Sequence, residues 1–412
     1  MNSLQPITSS KRIDVVDALR GFAIFGIFMV NMPGMFKPAV ELIMLPSLGH
    51  DTLDIMANSL IMFFFTGKFF VLFSLLFGFG FYIFLHKDGE PTRESVRLFR
   101  KRVFWLLLFG LLHVILLWEG DILVYYALFG FLLILFRKSS VKKIVVWTVI
   151  FMLIPIVVVG LVSLLPILLA SNEVAMAAFE QGNQEQLMAT QDLVERAYQA
   201  YSSGSYPEIM SMNWEQWLFM LSGILFFYPT CMAMFLIGLL IGRTGLFANY
   251  QEHLPFFKKV FWITLPIGIA CNLLLILSIL NFNPGVIDGW AFISRTFGII
   301  GGVVMMCTYV SGFIMLYHKG AFQRLFNGFS NVGKMALTHY ITHSVIALLL
   351  FRLDLFGLFG NIEVWQGILL VLAIFGFQIV FSKWWLRQFK FGPLEWLWRC
   401  LTYGKIQQMK IK

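Results

Sequence analysis

Charge is the scarcest ingredient of this 412-residue chain: Asp, Glu, Lys and Arg together make up 13% of it. Soluble domains carry about a quarter charged residues, so composition excludes a soluble globular fold. Cysteine is also scarce. Cys231, Cys271, Cys307 and Cys400 lie far apart and form no CxxC pair, which indicates neither a disulfide framework nor a cysteine metal site. No GxxxxGK[ST] loop occurs and no GxGxxG has a strand context, so nothing supports energy coupling by nucleotide hydrolysis. GxSxG is missing too, and with it the nucleophile turn of the α/β-hydrolases. No small-residue cleavage pattern follows the first apolar stretch, which is expected to stay as an uncleaved anchor.

Apolar sequence is abundant: 59% of the residues are hydrophobic and 17% aromatic. Runs of roughly 20 apolar residues mark an integral membrane protein. Ten spans are predicted, at about 18–36, 68–86, 102–118, 121–137, 144–170, 216–242, 259–281, 292–317, 333–353 and 364–383. They form one polytopic domain over 1–412. A shorter piece, 53–65, is broken from the second span at Gly67 and is expected to be re-entrant or interfacial. With the N-terminus inside, all but five of the 31 Lys and Arg (Lys37, Lys68, Arg196, Arg295 and Arg352) fall in inside segments. This placement predicts both termini in the cytoplasm. The net charge of +9 is therefore a topology signal, and no nucleic-acid partner is indicated. The acidic segment 171–213 is expected to form one or two short helices over the outer face, as a cap or a lid. The Trp-rich basic tail 384–412 reads as an inner-leaflet interfacial segment, with Pro393 opening a helix and Gly404 ending it.

Polar residues inside apolar sequence are costly and point to function. The hairpin 105–126 carries His113 within an apolar run and Glu119 and Asp121 at its turn. His113 is either a satisfied interhelical hydrogen bonder or a base in a polar cavity. The two acids are placed at the outer surface, where Asp121 can also cap the next helix. The first helix carries Asp17, Arg20 and Asn31. Arg20 and Asn31 project within about 20° of each other, separated by about 16 Å of rise. His50 beside Asp51 and Asp54 is either a base with an orienting acid or a loop histidine next to a helix cap. Lys68 at the Gly67 break either snorkels or pairs with an acid, and Arg295, about one turn from an outer helix end, is largely explained by snorkelling. His339 and His343 share a helix face, but Tyr340 stands where a zincin has Glu. A polar seam is expected there, and no metal.

Four stretches resemble one family in order along the chain: VDALRGFAIFGIFMVN, GKFFVLFSLLFGFGF, GLLHVILLWEGDILVYYALFG and FKFGPLEWLWRCLTYG. They resemble the YeiB-like bacterial membrane proteins, domain of unknown function 418. That family is distantly similar to membrane-embedded acyltransferases of the heparan-α-glucosaminide N-acetyltransferase and acyltransferase-3 groups, which share a D-x-x-R-G start, here Asp17 to Gly21. The resemblance implies transfer of an acyl group from a cytoplasmic thioester to an acceptor on the far side or linked to lipid, in a bacterial plasma membrane. Acyl-CoA is then a co-substrate, with no bound cofactor. Arg20, Asn31, Lys68 and Arg295 would contact donor or substrate. His113 or His50 would act as base, oriented by Glu119, Asp121 or Asp54. Asn31 sits where the acyltransferase-3 group has histidine, and His50 is the nearest counterpart of the heparan-type group's loop histidine. Two other classes compete: an exporter of a small amphiphile with Lys68, His113 and Asp121 along its path, and a sensor or partner subunit using the acidic outer segment.

Overall fold

The computed structural model describes residues 13–49, 51–87, 89–221, 223–283, 286–353 and 356–411. Its secondary structure there is helical, apart from an isolated Phe389–Lys410 bridge. In chain order the helices are α1 (Asp14–Asn31), α2 (Pro33–Phe36), α3 (Ala39–Met44), α4 (Thr52–Phe64), α5 (Phe69–Leu85) and α6 (Arg93–Leu116). Then come α7 (Leu123–Leu133), α8 (Val141–Leu169), α9 (Glu173–Ser203), α10 (Tyr206–Leu221), α11 (Ile224–Thr244) and α12 (Leu254–Leu280). The chain ends with α13 (Gly289–His318), α14 (Gln323–Lys334), α15 (Ala336–Ala347), α16 (Val364–Trp385) and α17 (Pro393–Tyr403). A π-helical turn, Leu348–Arg352, extends α15.

This is an all-α membrane protein. Among the described residues, five stretches are long and apolar enough to cross a bilayer: Thr52–Leu85, Val141–Leu169, Leu254–Leu280, Gly289–His318 and Val364–Trp385. The pair α14–α15 makes a sixth if counted as one span. Helices lie on each of the ten expected stretches, but 216–242 is divided between α10 and α11. The interruption before the second span is real but mild. Gly67 takes φ +81°, and yet α4 and α5 run as one apolar stretch, Thr52–Leu85. The sharp bend, 83°, lies between α14 and α15.

Local chemistry explains several helix boundaries. Thr92 and Ser95 form a reciprocal capping box at α6, and Ser140, Asn172 and Asp288 cap α8, α9 and α13. Pro393 opens α17 and Gly404, at φ +64°, closes it. Segment 171–213 corrects the expectation of short helices: α9 runs unbroken for 31 residues, about 46 Å. Only Thr190, Leu193, Ala197 and Tyr201 of it are buried. Its first half is largely exposed and rich in Glu and Gln, so hydropathy records no span there.

Glycines bring several helices backbone to backbone. A Cβ on Gly21 of α1 would lie 1.9 Å from the Phe329 carbonyl oxygen, and one on Gly333 of α14 would lie 1.9 Å from the Asp17 carbonyl oxygen. Gly78 of α5 and Gly238 of α11 mesh in the same way. Small residues permit such approach where dispersion, not water, drives helix association. Gly21→Leu should therefore push α1 and α14 apart and cost about 3 kcal/mol, at the upper end of overpacking effects. Thermal unfolding of the solubilised protein checks this; a change within about 0.5 kcal/mol would refute the packing account.

Candidate functional site

A cavity of about 290 Å³ is bounded by α1, α5, α6, α7, α15 and α17 and the end of α14. One end is charged. Arg20, Arg102, Lys334 and Arg399 stand there against Asp17 and Glu395. The rest is apolar and aromatic, reaching Ile27, Leu106, Ile122, Tyr126 and Tyr340. Along α1 the lining runs from Val16 to Ile27, about 16 Å of rise. The shape suits an amphiphile with an anionic head.

The charged end is built by sequence-distant pieces. Arg20 holds Asp17 at 2.6 Å, three residues away on the same helix face. The Arg102 guanidinium lies 3.9 Å from the Trp398 ring centroid, and Trp398 Nε1 donates to the Arg102 carbonyl at 2.8 Å. Lys334 reaches Asp14 at 4.0 Å. Glu395 of α17 accepts from the backbone N–H groups of Leu337 and Thr338, at 2.7 and 3.0 Å, and from the Thr338 hydroxyl. It thereby satisfies the first turn of α15 just after the bend. Burial raises the Glu395 carboxyl above its usual range, and its bonds from Thr338 and Leu337 oppose this. The tail helix is thus a wall of the cavity.

Just beyond the cavity's apolar end lies a chain of three polar side chains. Asp121 Oδ1 is 2.9 Å from His113 Nδ1, and His113 Nε2 is 2.8 Å from Ser344 Oγ. All three residues are buried. The second Asp121 oxygen accepts from the Val124 N–H at 2.7 Å, so one carboxylate both caps α7 and holds the imidazole. A carboxylate facing Nδ1 fixes the ring proton there and leaves Nε2 as the acceptor for the serine hydroxyl. Tyr340, one turn before Ser344 on α15, lines the cavity, and its ring centroid is 5.2 Å from that of His113. Tyr340 therefore separates the cavity from the imidazole.

The other sequence-derived candidates are distributed around this core. Arg20 lines the cavity, while Asn31 ends α1, a turn past Ile27, the last α1 residue of the lining. Glu119 does not touch His113. It is buried, not at the surface, and forms a bidentate pair with Arg352 at 2.6 and 2.9 Å. Asp121 is likewise buried beside the imidazole rather than at the surface. Asp54 accepts from the Val364 N–H at 2.8 Å, fastening the start of α16. Lys68 is buried against the Asn272 side chain and the Met62 carbonyl, away from the cavity lining. Arg295 stacks over Phe226 at 5.2 Å. His50 lies outside the described residues. His339 pairs with Ser382 at 2.6 Å and His343 with Gln378 at 3.0 Å, tying α15 to α16. His343 also stacks on Phe28 at 3.7 Å.

Ser344, Tyr340, Arg102 and Arg352 did not stand out from sequence. Ser344 and Tyr340 were visible only as part of the polar run around His339 and His343, and Arg102 only as one more basic residue at a helix start.

Comparison with known proteins supplies a family. The model of "Protein of unknown function (DUF418)" matches residues 241–405. "Uncharacterized protein YxaH" of Bacillus subtilis is 34% identical, covering 98% of this chain and 97% of that one. "Uncharacterized protein YeiB" of Escherichia coli is 28% identical over 94% of this chain and 95% of its own. No solved structure matches. Full-length similarity to both proteins and the match in the C-terminal half agree: the chain belongs to the YeiB-like, DUF418 family of bacterial membrane proteins.

Proposed function

We propose that this protein is a membrane-embedded acyltransferase. In this reading an acyl thioester of the acyl-CoA class docks its phosphates at the basic, cytoplasmic end of the cavity and extends its acyl group into the apolar part. His113, held by Asp121, then acts as general base for transfer to a hydroxyl or amine acceptor, presented from the outer side or carried on a lipid. The observation that carries the proposal is the Asp121–His113–Ser344 chain set at the apolar end of a cavity whose other end holds Arg20, Arg102, Lys334 and Arg399. Arginines at the mouth provide bidentate donors for phosphate oxygens. An imidazole with its tautomer fixed by a carboxylate supplies a base ready to accept a proton. An export path through Lys68, His113 and Asp121 has less support, because Lys68 is packed against Asn272 and is not part of the lining.

The test uses the full-length protein in nanodiscs with labelled acetyl-CoA. Saturable binding is expected. His113→Ala should keep the binding and lower turnover by about 10⁴-fold, the upper end of what a general base contributes. Absence of saturable binding by the wild type would sink the proposal.

A further inference from the structure

We infer that Ser344 is the nucleophile of the transfer, so that the acyl group passes through an acyl-serine ester inside the membrane; this rests on the acyl-transfer reading. Three observations converge on it. First, Nε2 of His113 faces the Ser344 hydroxyl at 2.8 Å while Nδ1 is held by a carboxylate at 2.9 Å. That order, acid to imidazole to hydroxyl, is the arrangement that activates a serine. The neighbouring His339–Ser382 pair, at 2.6 Å, has no carboxylate on its ring and serves as an internal contrast.

Second, Ser344 and His113 are 1% and 2% exposed, so an ester formed there is sheltered from water. Third, Ser344 lies one turn from Tyr340 on the same face of α15, and Tyr340 lines the cavity. The Tyr340 hydroxyl is held loosely, by bonds of 3.3 Å from the Ile122 N–H and 3.4 Å to the Gly120 carbonyl. Turning that ring aside connects Ser344 with the thioester. A cavity of 290 Å³ lies at the lower edge of the roughly 300–1,000 Å³ typical of small-molecule sites. It has little room for donor and acceptor together, and a covalent intermediate lets them come in turn.

The chemistry balances. The Ser344 Oγ–H proton moves to His113 Nε2 as Oγ adds to the thioester carbonyl carbon. The C–S bond breaks and the leaving sulfur takes that proton, giving free thiol and acyl-Ser344. The acceptor's hydroxyl or amine then gives its proton to His113 and attacks the ester. The C–O bond to Ser344 breaks and Oγ takes the proton back.

The experiment incubates the full-length protein in nanodiscs with labelled acetyl-CoA and no acceptor, quenches in acid, and maps the label by peptide mass spectrometry. The expected result is an acetyl group on the peptide containing Ser344. Ser344→Ala should lose the adduct and at least about a thousandfold in turnover. Ser344→Cys should retain an adduct, now a thioester cleaved readily by hydroxylamine. Ser382→Ala should change neither. Turnover by Ser344→Ala at the wild-type rate, or turnover by the wild type without label at Ser344, overturns the nucleophile and leaves the acyl-transfer reading standing. No turnover by the wild type overturns that reading, and this inference with it.

Discussion

Glu119→Ala should destabilise the protein by about 3–5 kcal/mol, the cost of breaking a buried ion pair from one side. Arg352 is among the most deeply buried side chains of the molecule, at 1% exposure. Its guanidinium donates to both Glu119 oxygens, to Asn213 Oδ1 at 2.9 Å and to the Gly34 carbonyl at 3.1 Å, and it lies 4.0 Å from the Tyr201 ring centroid. Glu119 in turn accepts long bonds from the Ala39 N–H and from Tyr201 and Gln216. One ion pair thus joins the α6–α7 turn, α9, α10, the α1–α3 region and the π-helical end of α15. Removing the carboxylate leaves the cation without a counter-charge where no water can reach it. Removing both charges should be far milder: Glu119→Leu with Arg352→Met is expected to recover most of the loss, since a well-packed apolar pair often replaces a buried ion pair at little cost. Denaturant unfolding followed by tryptophan fluorescence measures both variants. A single-mutant loss under about 1 kcal/mol, the scale of exposed pairs, would show that the pair does not hold these elements together.

The same residues show what the sequence can and cannot display. Apolar runs locate helices because length and hydropathy are local properties, and the Pro393 and Gly404 boundaries of α17 follow from local backbone chemistry. Depth is not local. Glu119 and Asp121 sit in a tight turn, where acids ordinarily meet water, and only the packing of Arg352 and His113 against them makes the turn an interior. Glu119 and Arg352 are 233 positions apart, and His113 and Ser344 are 231 apart. No spacing rule spans such distances. Arg20, Arg102, Lys334 and Arg399 were legible as basic residues of one side. That they converge on one cavity depends on the α14–α15 bend and on the docking of α17 against α6, neither of which hydropathy records. The first half of α9 was hidden for a different reason: it is largely exposed and rich in Glu and Gln, so no apolar run marks it.

Asp121→Asn should lower turnover about 10⁴-fold while leaving thioester binding unchanged, as loss of the carboxylate does in Ser-His-Asp enzymes. The reason is tautomeric. Asn has one acceptor oxygen where Asp has two. The Val124 N–H, which already donates to Asp121 at 2.7 Å, is a permanent donor and claims that oxygen. The amide NH₂ then faces His113 Nδ1, which must become an acceptor, and the ring proton moves to Nε2. An Nε2–H can only donate to Ser344 Oγ, so the base is lost although every heavy atom keeps its place. The α7 cap survives, so the unfolding free energy should change by less than about 1 kcal/mol, below the loss expected when a cap is removed. Because Asp121 acts through His113, Asp121→Asn added to His113→Ala should cost nothing further, as residues working as one unit are non-additive. Two outcomes would break the argument. Wild-type turnover in Asp121→Asn would show that the carboxylate only caps α7, and full additivity with His113→Ala would show that the two residues act on separate steps.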